Sequence, residues 1–197
     1  MSDTENKIKN ATVDLLLKEG NFGFTLYDVA EKSKVSRTVI HYYFRSRDNL
    51  LAVVTREILT RLVQPRYETL ICKEKLKTKI FNFLEKSDKT CEMYPYIDVF
   101  LMVRHTTSKD LQAFFDDILE SFKDLMSEVQ DGIDRKEIKY QNAQYFLSDL
   151  FALSSFSYIF SNFFCTLDIE PIHQIKFKDC LDKNTRILKI LFTNEVL

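Results

Sequence analysis

Apolar residues recur along most of this chain at three- and four-residue intervals, the spacing that gathers side chains on one face of a helix. Ile8, Ala11, Thr12, Leu15 and Leu16 form one such stripe and predict a helix over 5–19, with Gly20 as its stop. Phe22 and Phe24, in the connector that follows, read as core plugs. Leu26, Val29 and Ala30 share a second face behind Thr25, whose hydroxyl suits a helix N-cap. Ser33-Lys34-Val35 reads as a turn, and Ser36 as a second N-cap that opens a helix from Arg37 to about Tyr43. Val35, Ile40 and either Tyr43 or Phe44 point inward in this register. A fourth helix is predicted over about 47–63, ended or kinked by Pro65.

The same period continues to the C-terminus. It predicts helices over 74–87 and 96–106, the second apolar almost throughout its middle and so buried on most sides. A longer helix follows from Asp110 to about Asp131, with Gly132 as its stop and a charged connection over 133–140. Asn142 to about Cys165 is the most apolar helix, with Phe146, Leu150, Leu153, Phe156, Phe160 and Phe163 or Phe164 along it. Pro171 interrupts, and a last helix runs from about Ile172 to Phe192. Only three Gly and three Pro punctuate the chain, which favours an all-α protein. Two long terminal helices with apolar faces are what a two-fold four-helix interface requires.

The chemistry concentrates in the short helix after Ser36. Its outward set is Arg37, Thr38, Val39, His41 and Tyr42, with Arg45 and Arg47 directly after. Arg donates bidentately to a guanine edge and a Thr methyl touches a thymine methyl. Tyr, His and Ser donate to phosphates and so position a protein on the duplex. Arg47 falls at the start of the next helix, where free backbone N–H groups also favour a phosphate. An ordinary helical hairpin with a solvated polar face is the bland alternative. Two caps eleven residues apart, a small residue at the crossing and a compact Arg cluster favour a DNA-reading helix-turn-helix.

Thr25, Asp28-Val29-Ala30, Val35-Ser36, Ile40, Tyr42-Tyr43-Phe44, Ser46-Arg47 and Leu50-Leu51, with the helix before them, resemble the TetR family of transcriptional repressors. The close match covers about residues 5–55; beyond it only the helical layout and length agree. The resemblance implies a three-helix DNA-binding domain over 1–50 and a larger helical domain over 51–197 that binds an effector and dimerises. It implies that Thr25 caps and approaches a phosphate, that Arg37, Thr38 and Val39 face base edges, that His41 and Tyr42 lie along the backbone, and that Arg47 binds phosphate. Two positions depart from the family pattern. Lys34 stands where the family usually has Gly, and a non-Gly residue at positive φ costs on the order of 1 kcal/mol. Either Lys34 takes the left-handed conformation or the turn differs. His41 stands where the family usually has Tyr, which makes a phosphate contact there sensitive to pH.

The net charge of −1 excludes a globally basic nucleic-acid coat. Residues 1–56 nevertheless hold nine Lys/Arg against seven Asp/Glu, so the positive excess lies with the predicted reading helix. The four cysteines are far apart and show no metal spacing, as expected of thiols in a reducing cytoplasm. No metal and no cofactor is expected. Residues 1–20 are polar and charged, unlike a signal peptide, and the most apolar run, 150–164, is too short to span a membrane.

Seventeen Phe and nine Tyr exceed what caps and turns need. Phe81, Phe100, Met102, Phe114, Phe146 and Phe151 are candidates to line an effector pocket, with Arg104 and His105 at its polar end; each is equally readable as core. Arg104 needs a carboxylate, supplied by a ligand or by Asp98, Asp110 or Asp149. The expected effector is a small apolar or aromatic molecule, with or without one anionic group. No phosphate-cradling loop, nucleophile motif or carboxylate–His constellation supports an enzyme. A helical partner-binding module explains the C-terminal half but not the Arg37–Arg47 cluster. The reading that absorbs most residues is a dimeric repressor of a palindromic operator released by a small molecule.

Overall fold

The computed structural model describes residues 3–165 and 180–193. These residues form helices: α1 Asp3–Leu17, α2 Leu26–Ser33, α3 Arg37–Phe44, α4 Arg47–Ile58, α5 Gln64–Ile71, α6 Leu76–Met93, α7 Ile97–His105, α8 Lys109–Ser121, α9 Lys123–Asp134, α10 Ala143–Cys165 and α11 Cys180–Leu191. Among the described residues the nearest thing to a strand is one isolated bridge, Ile138 to Phe192. The chain is all-α, as the periodicity predicts. Pro171, the expected helix start at Ile172 and the side chains of Phe160, Phe163, Phe164, Cys165 and Cys180 lie outside the described residues.

The N-terminal stripe holds: Ile8, Ala11, Thr12, Leu15 and Leu16 are all buried. Helix α1 stops two residues early, at Leu17. Gly20 then takes φ +67° and the Asn21 N–H closes the turn onto the Leu15 carbonyl at 2.9 Å. Helices α1–α4 pack against one another around Val29, Ile40, Phe44, Leu50 and Phe24. This first core continues without a break into Ile97, Phe100, Leu101 and Leu111 of the body. A second core, built on Phe83, Leu84, Phe122, Phe146, Leu150 and Leu191, fills the far end.

Three boundaries differ from the pattern. Pro65 does not end the fourth helix. A single π turn over Leu59–Val63 carries α4 into α5, and Pro65 sits in the first turn of α5. The expected long helix from Asp110 is two, α8 and α9, divided at Phe122 (φ −85°, ψ −2°), whose buried ring is stacked on Phe151. Gly132 lies inside α9 rather than after it. A Cβ there would come within 2.8 Å of the Ile138 terminal methyl, so the glycine's place is one of close packing rather than helix termination. The left-handed residue after α9 is Lys136, φ 61°.

Candidate nucleic-acid interface

Helix α2 begins on a reciprocal cap. The Thr25 hydroxyl accepts from the Asp28 N–H at 3.3 Å, and the Asp28 carboxylate accepts from the Thr25 N–H at 2.6 Å. Helix α2 ends at Lys34, which takes φ 57°, ψ 32°. Of the two alternatives for this turn, the left-handed one is therefore realised, by a lysine. Ser36 caps α3, its hydroxyl accepting from the Val39 N–H at 3.4 Å, and Ser46 caps α4, its hydroxyl accepting from the Asn49 N–H at 3.1 Å. These caps fix where α3 starts and so which residues it buries.

Ile40 and Phe44 point into the core; Val35 and Val39 are half-buried at its margin. Between the two inward candidates Tyr43 and Phe44, it is Phe44 that packs inside, whereas Tyr43 is 36 % exposed. Arg37, Thr38, His41 and Tyr42 are exposed along the outer face of α3, with Ser36 at its head. Tyr42, 72 % exposed, meets Tyr43 edge-to-face at 5.4 Å between ring centroids. Thr25 is exposed beside this face. Sequence reasoning passed over Tyr27, 63 % exposed on the adjacent helix, and left Arg45 without a role; Arg45 is exposed at φ 66° just after α3. The chain does not announce Tyr27, because an outward residue shows in the sequence only as a gap in the apolar stripe.

Arg47 is placed differently from its sequence reading. Its Nε donates to the Phe24 carbonyl at 2.6 Å and its Nη2 to the Phe22 carbonyl at 2.9 Å. The guanidinium lies 4.6 Å from the Phe24 ring centroid, and Nη1 is 3.5 Å from Asp48. A guanidinium whose planar fork already holds two carbonyls ties the connector after α1 to the start of α4. The phosphate role is not carried forward for it.

The residues expected around an effector do not converge. Phe100 is fully buried against Phe22 in the first core, and Phe146 packs with Tyr140 and Phe192 in the second. Phe81 is half-buried, Met102 is 69 % exposed, and His105 is exposed with its ring near Phe115. Phe114 and Phe151 do meet, through Tyr67, a residue the sequence reading left out. The Tyr67 ring lies within 6.5 Å of the rings of Phe83, Phe114, Phe115, Phe122 and Phe151. Burial pushes its hydroxyl pKa up to about 12. Each carboxylate considered for Arg104 is engaged elsewhere: Asp98 with Arg66, Asp110 with Arg56, and Asp149 with the Tyr140 hydroxyl. Among the described residues, the Arg104 Nε is buried without a partner.

One turn beyond the aromatic cluster lies a buried polar layer. The Arg66 Nη1 donates to Asp98 Oδ1 at 2.8 Å, its Nη2 to Asp98 Oδ2 at 3.5 Å and its Nε to the Ser87 hydroxyl at 3.2 Å. Burial by itself would raise the Asp98 pKa. The Arg66 charge and hydrogen bonds from Arg66, Ser155 and Cys91 outweigh it and hold the carboxyl below its ordinary value. Burial pushes the Cys91 thiol up, which leaves it unreactive. Neither Cys91 nor Cys72 is in a disulfide, and among the described residues no group of His, Cys, Asp and Glu has metal-binding geometry.

Residues 8–54 match the family model for bacterial regulatory proteins of the tetR family. No curated protein matches the chain. Among solved structures, the fold is similar along nearly its whole length to a TetR family transcription regulator from Marinobacter aquaeolei VT8 (TM-score 0.65, 10% identity, 96% of this chain and 95% of that one). It is similar to the transcriptional regulator FadR from Bacillus subtilis in complex with stearoyl-CoA (TM-score 0.62, 14% identity, 95% and 97%). It is similar also to a protein from Saccharomonospora viridis in complex with choline (TM-score 0.60, 13% identity, 96% and 95%).

Proposed function

This chain belongs, through the module spanning residues 8–54, to the tetR family of bacterial regulatory proteins, and on that premise we propose that it is a dimeric, effector-controlled repressor of a palindromic DNA operator. The observation that carries the reading is the outer face of α3: Arg37, Thr38, His41 and Tyr42 are exposed side by side on a helix whose other face is locked by Ile40 and Phe44. In this reading Arg37 and Thr38 read base edges with Val39 at the margin, while Thr25, Ser36, His41 and Tyr42 lie along phosphates. Two copies of α3 enter successive major grooves about 34–36 Å apart or a multiple of it.

Dimerisation is assigned to α10 and α11. Tyr145 and Phe156 on α10, 58 % and 57 % exposed, and Ile190 on α11, 52 % exposed, supply apolar surface on those helices. The effector is assigned to the body, around Tyr67. The two complexed relatives hold stearoyl-CoA and choline, molecules with little in common, so the ligand class has to be argued from this chain's own lining. An effector that binds one spacing of the reading heads more tightly than another shifts the balance between them by that difference in affinity.

The test is genome-wide mapping of bound sites followed by titration of the recovered operator at several salt concentrations. Arg37→Ala should relax sequence preference by about 1–3 kcal/mol at one base position. Unchanged affinity and unchanged preference in Arg37→Ala and Tyr42→Ala would remove the proposed reading face.

A further inference from the structure

The cations of the N-terminal module divide into two sets. Residues 1–56 hold nine Lys and Arg. Six of them meet carboxylates: Lys7 with Asp3, Lys9 with Glu5 and Glu57, Lys18 with Asp14, Lys32 with Glu19, Arg47 with Asp48, and Arg56 with Asp110. Among the described residues, the side chains of the other three, Lys34, Arg37 and Arg45, make no ion pair or hydrogen bond, and all three are exposed. The three are not scattered. Lys34 ends α2 two residues before the Ser36 cap, Arg37 is the first residue of α3, and Arg45 ends it. The unpaired positive charge of the module therefore lies on the reading helix and at its two ends.

The two end cations share a second property. Lys34 takes φ 57°, ψ 32°, and Arg45 takes φ 66°, ψ −47°. At Arg45 the Ser46 N–H donates to the Phe44 carbonyl at 2.7 Å, which closes a γ-turn of the rare, strained form. Backbone of this hand favours glycine. Neither side chain packs into the protein to offset the conformation, so the strain is kept at two positions that offer only a free charge. The spacing suits a duplex. Helix α3 has eight residues, about 12 Å at 1.5 Å per residue, and the major groove is about 12 Å wide. Cations at both ends of a helix of that length meet the phosphates on the two sides of the groove it occupies.

We propose that Lys34 and Arg45 are the phosphate clamps of α3, one at each end, in the role that Arg47 leaves open. The proposal rests on the DNA-binding reading above. It adds the cations that set affinity and salt dependence, as distinct from those that set sequence preference. The paired cations contribute less, because each must give up a carboxylate before it neutralises a phosphate.

The experiment titrates the full chain with a labelled mixed-sequence duplex of about 30 base pairs, between about 50 and 200 mM salt, so that no operator is needed. Gly removes the charge and at the same time relieves the left-handed backbone. Lys34→Gly and Arg45→Gly should each reduce the magnitude of the slope of log K against log salt by about 0.9. Their thermal midpoints should equal or exceed the parent's, a combination that a merely structural role does not produce. Lys34→Arg and Arg45→Lys should keep the parent's slope. Lys18→Ala removes the same charge from a cation paired with Asp14 and should leave the slope unchanged. A parent-like slope in either Gly variant overturns the proposal, while the DNA-binding reading stands on the parent's own salt-dependent binding. Weaker binding with a lowered midpoint makes the residues structural and overturns it too. So does an equal effect of Lys18→Ala, which would leave net charge as the cause. A parent that binds no duplex at any salt sinks both this proposal and the reading beneath it.

Discussion

The ring of Tyr96 lies so close to Gly20 that a Cβ on the glycine would come within 2.8 Å of it. Tyr96 also donates its backbone N–H to the Leu17 carbonyl at 3.0 Å, just before α7 begins. With the Phe22–Phe100 ring contact at 6.2 Å, these contacts fasten the α1–α4 module to α7, the helix that also carries Asp98 into the buried polar layer.

Gly20→Ala should therefore be destabilising for two reasons. The left-handed backbone, φ +67°, costs about 1–2 kcal/mol for any residue with a Cβ. Displacing a Tyr ring held at the head of α7 adds ~1–3 kcal/mol of overpacking. Urea unfolding monitored by circular dichroism measures the sum. A neutral Gly20→Ala would show that the joint between α1 and α7 is looser than described.

Arg47→Ala should lower stability by about 2 kcal/mol, because two charge-assisted hydrogen bonds to backbone carbonyls disappear. Arg47→Lys should restore little of it, since an ammonium does not reproduce the planar fork that meets both carbonyls. Arg37→Ala, at an exposed position, should stay within about 0.5 kcal/mol of the parent. Thermal unfolding separates the two. Full stability in Arg47→Ala together with a flatter salt dependence of DNA binding would return Arg47 to the phosphate role.

Asp98→Asn should cost about 3–5 kcal/mol, the range for breaking a buried ion pair and leaving one partner charged. The parent's pH dependence has a definite sign. The Asp98 pKa is lower in the folded chain than its ordinary value, so its pairing with Arg66 stabilises fully above the ordinary carboxylate range and is lost as pH falls through the depressed folded value. Subtracting the Asp98→Asn stability profile from the parent's should leave a difference that is flat near neutrality and shrinks in acid. A difference that grows as pH falls would contradict the pairing.

The helices and the outward face of α3 were legible in the sequence because they rest on relations three or four residues long. Thr25 with Asp28, Ser36 with Val39, and the stripe from Ile8 to Leu16 are such relations, and each is realised in the structure. The tertiary structure decided what depends on partners brought from afar. Arg47 spends its guanidinium on carbonyls 23 and 25 residues back, Arg66 finds Asp98 32 residues on, and Lys183 finds Asp88 across 95. Nor could spacing reveal that Tyr67 gathers five Phe rings, from α6, α8, α10 and the α8–α9 junction, or that Pro65 passes inside a continuing helix by way of a π turn. The physical reason is the same throughout. Local periodicity fixes which side of a helix is buried, whereas the identity of what it is buried against is set only when all the helices pack together.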